Sequence, residues 1–522
     1  MKATKLTKVL LLALSLVMTL TCFAACGGGN TPEETTTPAP DPKPQVTTWE
    51  TDEDGYVVST IPESIDYKGY QAQTLVYSDP YLFPEKTVMD AEGDDIKKDI
   101  FLRNQEIELD LGLKFDVKTK ASHMSSGSDG QDLYNAVLNG EEAYDVVCCY
   151  SLYPAMMAMQ GVLHDINALE YPHTEMPWFP SDIQEWSIMD HLFFVSNNSS
   201  IRNLTSVWVV YANAHMIADK QLEEIEDVVL DGRWTLAKME EYSREWKPEA
   251  QSADGSVYGV YVHHRTGADA FYAAAGFRAM TRDADGMPQY AFLDATNSEL
   301  IDNFIDDLLV MLRSPECDVG PYSAGTADRF GNTSPIKYLR EEKVAFYVAS
   351  MEYYGNLKDD TDHSYRIIPM PKYQETQEKY TSIRNDAFNV WCIPSSTQDP
   401  TIGGTIIEAI SYSDYRTIAP KFWEEDFIYR YSESDKGIQI FEIIRDSVSS
   451  DFGRIFRSAG IGDDDESIGS PYGAMRNCLY KNQKEVQADL QNVWADTMSE
   501  KAQSYTMRLN MLKQAIADLF NE

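Results

Sequence analysis

Glu141 to Ile166 reads EEAYDVVCCYSLYPAMMAMQGVLHDI and gathers several reactive residue types in one stretch. Cys148 and Cys149 are adjacent, with Tyr150 and Tyr153 just beyond them. Such a cysteine pair could serve redox chemistry or, with further ligands at short spacing, hold a metal. No CxxC and no Cys/His spacing of a zinc site occurs in the chain. Following the apolar Val146-Val147, the pair reads instead as small buried hydrophobes. Pairing among Cys148, Cys149, Cys317, Cys392 and Cys478 cannot be read from spacing.

Other candidates for catalysis are equally thin. His263-His264 are neighbours on an expected strand and would point to opposite faces, one packed and one exposed. Asp463-Asp464-Asp465-Glu466 lacks the spaced ligands of an EF-hand and reads as a solvated loop. There is no GxSxG elbow and no HExxH helix. A glycosidase needs two carboxyls about 5–10 Å apart. With 83 acidic residues, adjacent pairs such as Asp94-Asp95 or Glu424-Glu425 carry no information on that point. The expectation is a chain with no catalytic residues, no metal and no cofactor.

The formal net charge of −39 disfavours nucleic acid and anionic lipid surfaces as partners, since both select basic patches. At the N-terminus, Lys2, Lys5 and Lys8 precede an apolar run from Val9 to Leu20, and Phe23-Ala24-Ala25-Cys26 follows. That order describes an export signal, residues 1–25. Residues 26–48, rich in Gly, Thr and Pro, read as a flexible tether, and 49–72 as a short lead-in. The remainder is too long for one ordinary domain and suits two or more lobes.

Along the body, strands and helices alternate. Gln73–Tyr77 reads as a buried strand, followed by a polar loop that holds Ser78, Asp79 and Tyr81. A helix carrying Ile96, Ile100, Ile107 and Leu111 runs to Gly112, and Lys114–Val117 resumes a strand. This is a βαβ unit, which implies parallel pairing. Tyr144–Cys149 is apolar throughout, as strands covered on both faces tend to be. Its exit loop carries Tyr150 and Tyr153. Ligands of open α/β sheets bind outside the carboxyl ends of strands, so these tyrosines stand where a contacting loop would be. Later expected elements include strands His191–Ser196, Ser206–Tyr211 and Val344–Val348 and helices Asn297–Leu312, Phe422–Ser432 and Lys484–Phe520. Thr235 is a helix N-cap candidate. No fixed-period repeat is present.

Two resemblances follow from these residues. Phe23-Ala24-Ala25-Cys26 resembles a bacterial lipobox, although Phe23 stands where Leu is usual, and implies a diacylglycerol on Cys26. IFLRNQEIELDLGLKF, EAYDVV with QGVLHDI, RWTLAKMEEY, EEKVAFYVAS, RIIPMPKY and FNVWCIPSST together resemble the maltose-binding-like extracellular solute-binding lipoproteins of ABC importers. ISYSDYRTIAPKFWEEDFIYRY looks like a clostridial, Gram-positive branch of that family.

The resemblance implies a two-lobed periplasmic-binding-protein-like α/β fold, each lobe a mostly parallel sheet flanked by helices, with the ligand cleft between them. It implies residues 73–196 and 350–386 in lobe one, and 203–349 and 390–522 in lobe two. Hinge crossings would fall near 197–202, 348–350 and 387–389. It further implies a monomer, anchored by lipid on the outer membrane face, that binds a small solute and passes it to ABC permease subunits. Sugars need aromatic platforms and polar side chains. The ligand-contacting residues so implied are Ser78, Asp79, Tyr81, Tyr150, Tyr153, Asn197, Asn198, Ser199, Arg265, Glu352, Tyr353, Arg384, Asn385 and Asp386. The solute is expected to be a carbohydrate, an oligosaccharide above all. A peptide ligand for the same architecture, with arginines for its termini, and a secreted carbohydrate-active enzyme are the alternatives.

Overall fold

Gly112 shows how the first βαβ unit closes. In the computed structural model, β1 (Tyr70–Ser78) leads to helix α1 (Asp95–Asp110) and then to β2 (Leu113–Ala121), which pairs parallel to β1. Between α1 and β2, Gly112 adopts φ +61°, and a Cβ there would fall 2.0 Å from Asp66 Oδ1. Glycine adopts this turn without strain or clash. The structure describes residues 49–78, 95–121, 128–140, 144–151, 153–198, 201–246, 257–263, 266–293, 295–319, 336–356, 365–385, 388–423, 435–456, 472, 476 and 493–521. Residues 51–522 are one compact unit. The expected signal, tether and Cys26 lie outside the described residues, as does most of the expected helix Phe422–Ser432.

Helix α2 (Ser128–Asn139) precedes β3 (Val146–Tyr150), whose five residues VVCCY are all buried. After it come helix α3 (Pro154–Met159) and β4 (Phe194–Val195), a shorter strand than His191–Ser196. The chain continues with β5 (Trp208–Asn213), β6 (Tyr258–Val262), the hairpin β7 (Met280–Arg282) and β8 (Pro288–Tyr290), and β9 (Cys317–Val319). It ends with β10 (Val344–Ser350), β11 (Tyr365–Pro369), β12 (Ser382–Ile383), β13 (Asn389–Cys392) and β14 (Val448–Ser449).

Two five-stranded sheets result, ordered β2-β1-β3-β13-β4 and β11-β5-β10-β6-β9. Each holds three adjacent parallel strands, β2-β1-β3 in one and β9-β6-β10 in the other. The next strand, β13 or β5, runs antiparallel. In both cases this is the strand by which the chain enters that sheet from the other. The sheets are therefore mixed, with parallel cores and antiparallel crossing strands.

The topology corrects the expected lobe boundaries. β11, placed by expectation with lobe one, pairs with β5 in the second sheet, from Tyr365↔Asn213 to Pro369↔Val209. Pro369 is tolerated there because β11 is an edge strand, where a missing N–H breaks no ladder. β13, placed with lobe two, pairs with β3 in the first sheet. Helix Pro400–Ser413 follows it there, so close to β3 that a Cβ on Gly403 would fall 2.2 Å from the Asp145 carbonyl. The expected crossing near 348–350 leads from β10 back to β11 within the second sheet. An apolar run marks a strand, but not the strand it will pair with, and that is where the expectation failed.

Candidate functional site

Two stretches carry the chain between the sheets, 196–207 outward and 384–388 back. They lie side by side: Val207 and Arg384 form an antiparallel bridge, and the Asn385 N–H donates to the Ser206 carbonyl at 2.6 Å. Asn203 is buried between them. Its amide donates to Ser196 Oγ and to the Asn197 carbonyl, both at 2.8 Å, and its Oδ1 accepts the Asn389 N–H at 2.9 Å. Asn197 is also fully buried and donates to Asp414 at 3.1 Å, while Asp414 pairs with Arg103 of α1. Asn197 thus ties the outgoing stretch to the first lobe.

Carboxyl ends of strands from both sheets reach these stretches. From the first sheet, Ser151, just past β3, donates its N–H to the Phe388 carbonyl at 3.2 Å. From the second, Ser350 Oγ at the end of β10 donates to the Thr205 carbonyl at 3.2 Å, and the Met351 N–H donates to the Val207 carbonyl at 2.7 Å. Glu352 forms an ion pair with Arg202. This is the place where an open α/β sheet presents a ligand site, here formed twice and face to crossing.

At the end of β6, His263 stands between two tyrosines. Its Nδ1 lies 2.7 Å from the Tyr347 hydroxyl and its Nε2 2.8 Å from the Tyr353 hydroxyl. Tyr347 is fully buried, and among the described residues its hydroxyl meets His263 alone. Each hydroxyl can donate to a bare ring nitrogen or accept from a protonated one, so the ring's tautomer sets which tyrosine donates. Burial pushes both phenols above their ordinary pKa, so they stay protonated.

A narrow recess opens beside the crossings, lined by Ser151, Trp186, Arg384, Phe388, Asp451 and Arg454 among others. Arg384 Nη2 donates to Asn198 Oδ1 at 2.8 Å, and its guanidinium lies 5.6 Å from the centre of the Phe388 ring. Burial pushes Arg384 down to about 10, and the charge of Asp182 partly opposes that.

The sequence-derived residues thus divide. Asn197, Asn198, Arg384 and Asn385 come together at the crossings, with Glu352 and Tyr353 at the adjoining end of the second sheet. Tyr150 and Tyr153 are buried and pack edge-to-face, ring centres 5.4 Å apart. Ser78 ends β1. Asp79, Tyr81, Ser199, Arg265 and Asp386 lie outside the described residues. Sequence reasoning missed Trp186, Asn203, Phe388, Asp451 and Arg454. None follows an apolar strand in the way that drew attention to the others. In the sequence His263 reads only as one of a neighbouring pair with His264, one packed and one exposed.

Among the described residues, no group of three or more His, Cys, Asp or Glu side chains could hold a metal ion. No described helix is long and apolar enough to cross a membrane.

No sequence-family profile matches the chain, and no curated protein matches it in sequence. Solved structures do. One is the galacto-N-biose/lacto-N-biose I-binding protein of the ABC transporter from Bifidobacterium longum, with TM-score 0.52 and 9% identity, over 84% of this chain and 98% of that one. Another is the GacH receptor of Streptomyces glaucescens, solved unliganded and with acarbose, with TM-score 0.51 and 11% identity over 84% and 99%. A third is an ABC transporter solute-binding protein from Thermotoga lettingae bound with α-D-tagatose, with TM-score 0.50 and 12% identity over 84% and 100%. The chain therefore has the two-lobed, mixed-sheet α/β fold of the periplasmic-binding-protein type.

Proposed function

We propose that this chain is the lipid-anchored, extracellular substrate-binding protein of an ABC importer, and that it captures a carbohydrate by closure of its lobes. The observation that carries this reading is the convergence of strand carboxyl ends from both sheets on the paired crossings. A site so placed changes shape when the lobes rotate about those crossings. Closure then requires a solute that binds the closed form better than the open one.

The solute contacts would come from Asn198, Arg384, Asn385, Glu352 and Tyr353 around the crossings. Ser78, Asp79 and Tyr81 would add to them at and beyond the end of β1, and Tyr150 and Tyr153 at and beyond the end of β3. Asn197, Ser199, Arg265 and Asp386 complete the set. Cys26 would carry the anchor, and permease subunits in the membrane would receive the solute from a monomer. The sugar ligands of the structural relatives support a carbohydrate over a peptide, and a binding protein over an enzyme.

A thermal-shift screen of the purified full chain against mono- and oligosaccharides and short peptides tests this. A ligand at 100 times its dissociation constant adds about 2.7 kcal/mol of stability. A saccharide hit supports the reading, whereas a peptide hit replaces the solute. Silence from both panels, with sugar released from a polysaccharide, would overturn it.

A further inference from the structure

The recess beside the crossings has carboxylates that are already hydrogen-bonded, and donors that are not. Asp451 accepts the N–H groups of Ala279 and Gly453 and the hydroxyl of Tyr472, at 2.6–2.8 Å. Asp182, whose charge is felt at Arg384, already accepts the Ser450 N–H at 2.6 Å and its hydroxyl at 3.2 Å. Arg454 pairs with Asp269, which it shares with Arg476. By contrast, Arg384 Nε and Trp186 Nε1 are buried and have no hydrogen-bond partner among the described residues. Arg384 is 7% exposed and Trp186 1%. Among the described residues Arg384 makes no ion pair, and its one hydrogen bond goes to the neutral amide oxygen of Asn198.

A buried donor without an acceptor is costly, and more so on a charged group. Two such donors lining one recess mark a place where acceptor atoms come from outside the chain. A hydroxyl would bring a donor of its own to a recess already rich in them. An ionised carboxylate is acceptor-only, and its bond to a guanidinium is about twice as strong as a neutral one. The recess is narrow, so it takes a substituent of a few atoms and not a sugar ring.

We propose that this recess binds the carboxylate of the captured solute, which is an acidic sugar such as a hexuronate-containing oligosaccharide. Resting on the reading of the chain as a carbohydrate-binding protein, this narrows the class of solute. The net charge of −39 repels an anionic solute at long range, so affinity falls to this local arrangement.

Calorimetric titration of the full chain with hexuronate oligosaccharides and their neutral hexose counterparts tests the proposal. The acidic series is expected to bind at least about tenfold more tightly, the scale of one charge-assisted contact. Arg384→Gln should weaken the acidic series at least about tenfold more than the neutral one, and so remove that preference. Trp186→Phe, which keeps an aromatic ring but loses the N–H with the rest of the indole, should weaken acidic ligands several-fold. Should Arg384→Gln fail to fold, the comparison of the two series on the native chain decides alone. Equal or better binding of neutral sugars overturns this inference and leaves the carbohydrate reading standing. Failure of both series to bind overturns the carbohydrate reading itself.

Discussion

Asn203 accepts the main-chain N–H of Asn389 at 2.9 Å, and so joins the chain leaving the first lobe to the chain returning to it. Both residues are buried, and 186 positions separate them. Asn203→Ala would leave that N–H and the acceptors at Ser196 and Asn197 without their partner. The expected loss is about 2–4 kcal/mol, read by urea unfolding. A loss below about 1 kcal/mol would mean that the crossings are held together by other contacts.

Arg103, Asp414 and Asn197 form a second buried tie. Arg103→Ala strands the carboxylate of Asp414 in the interior with, among the described residues, the Asn197 amide alone, for an expected loss of about 3–5 kcal/mol. Arg103→Met together with Asp414→Asn should recover much of it, because no unpaired charge remains. Denaturant midpoints of the two single variants and the double variant would show this non-additivity or refute it.

Glu408 gives a pH signature. It is buried, accepting the Thr60 hydroxyl at 2.7 Å and the His173 N–H at 3.0 Å, and burial pushes its carboxyl above the usual range. The folded state then favours the protonated acid. Its stabilising contribution is full below the ordinary carboxylate pKa and is lost as pH rises through the raised value. The stability of the native chain relative to Glu408→Gln should therefore fall as the pH is raised over the range above about 4, the ordinary carboxylate pKa. Thermal melts of both proteins across that range check it, and a constant difference would contradict it.

Cys26→Ser tests the anchor. Expressed in a Gram-positive host, the native chain should fractionate with membranes and the variant should appear in the medium. Equal distribution of the two would remove the lipid from the account.

Much of the local structure was legible in the sequence. Thr235 caps its helix as RWTLAKMEEY suggested, accepting the Lys238 N–H at 3.2 Å, and Gly112 closes α1. These features depend on neighbours a few residues apart. The partners of β11 and β13 were not legible, because YRIIP and NVWC read as strands whichever sheet receives them. The site suffered from the same gap. Arg384 was marked only by the family resemblance. Its meeting with Asn198, Trp186 and Ser449–Asp451 depends on four segments that only the completed fold assembles. Tyr150 and Tyr153 were chosen for their place after a strand, and burial against each other was invisible at that level.

Capture by closure is tested most directly by a distance across the two lobes. Leu109 at the end of α1 and Val310 on helix Ala295–Leu312 are exposed, at 78% and 51%, and can be replaced by cysteine for spin labelling. The account expects the label-to-label distance to change to a single new value as a binding saccharide is titrated to saturation. A distance distribution that stays the same with the saccharide bound would contradict it.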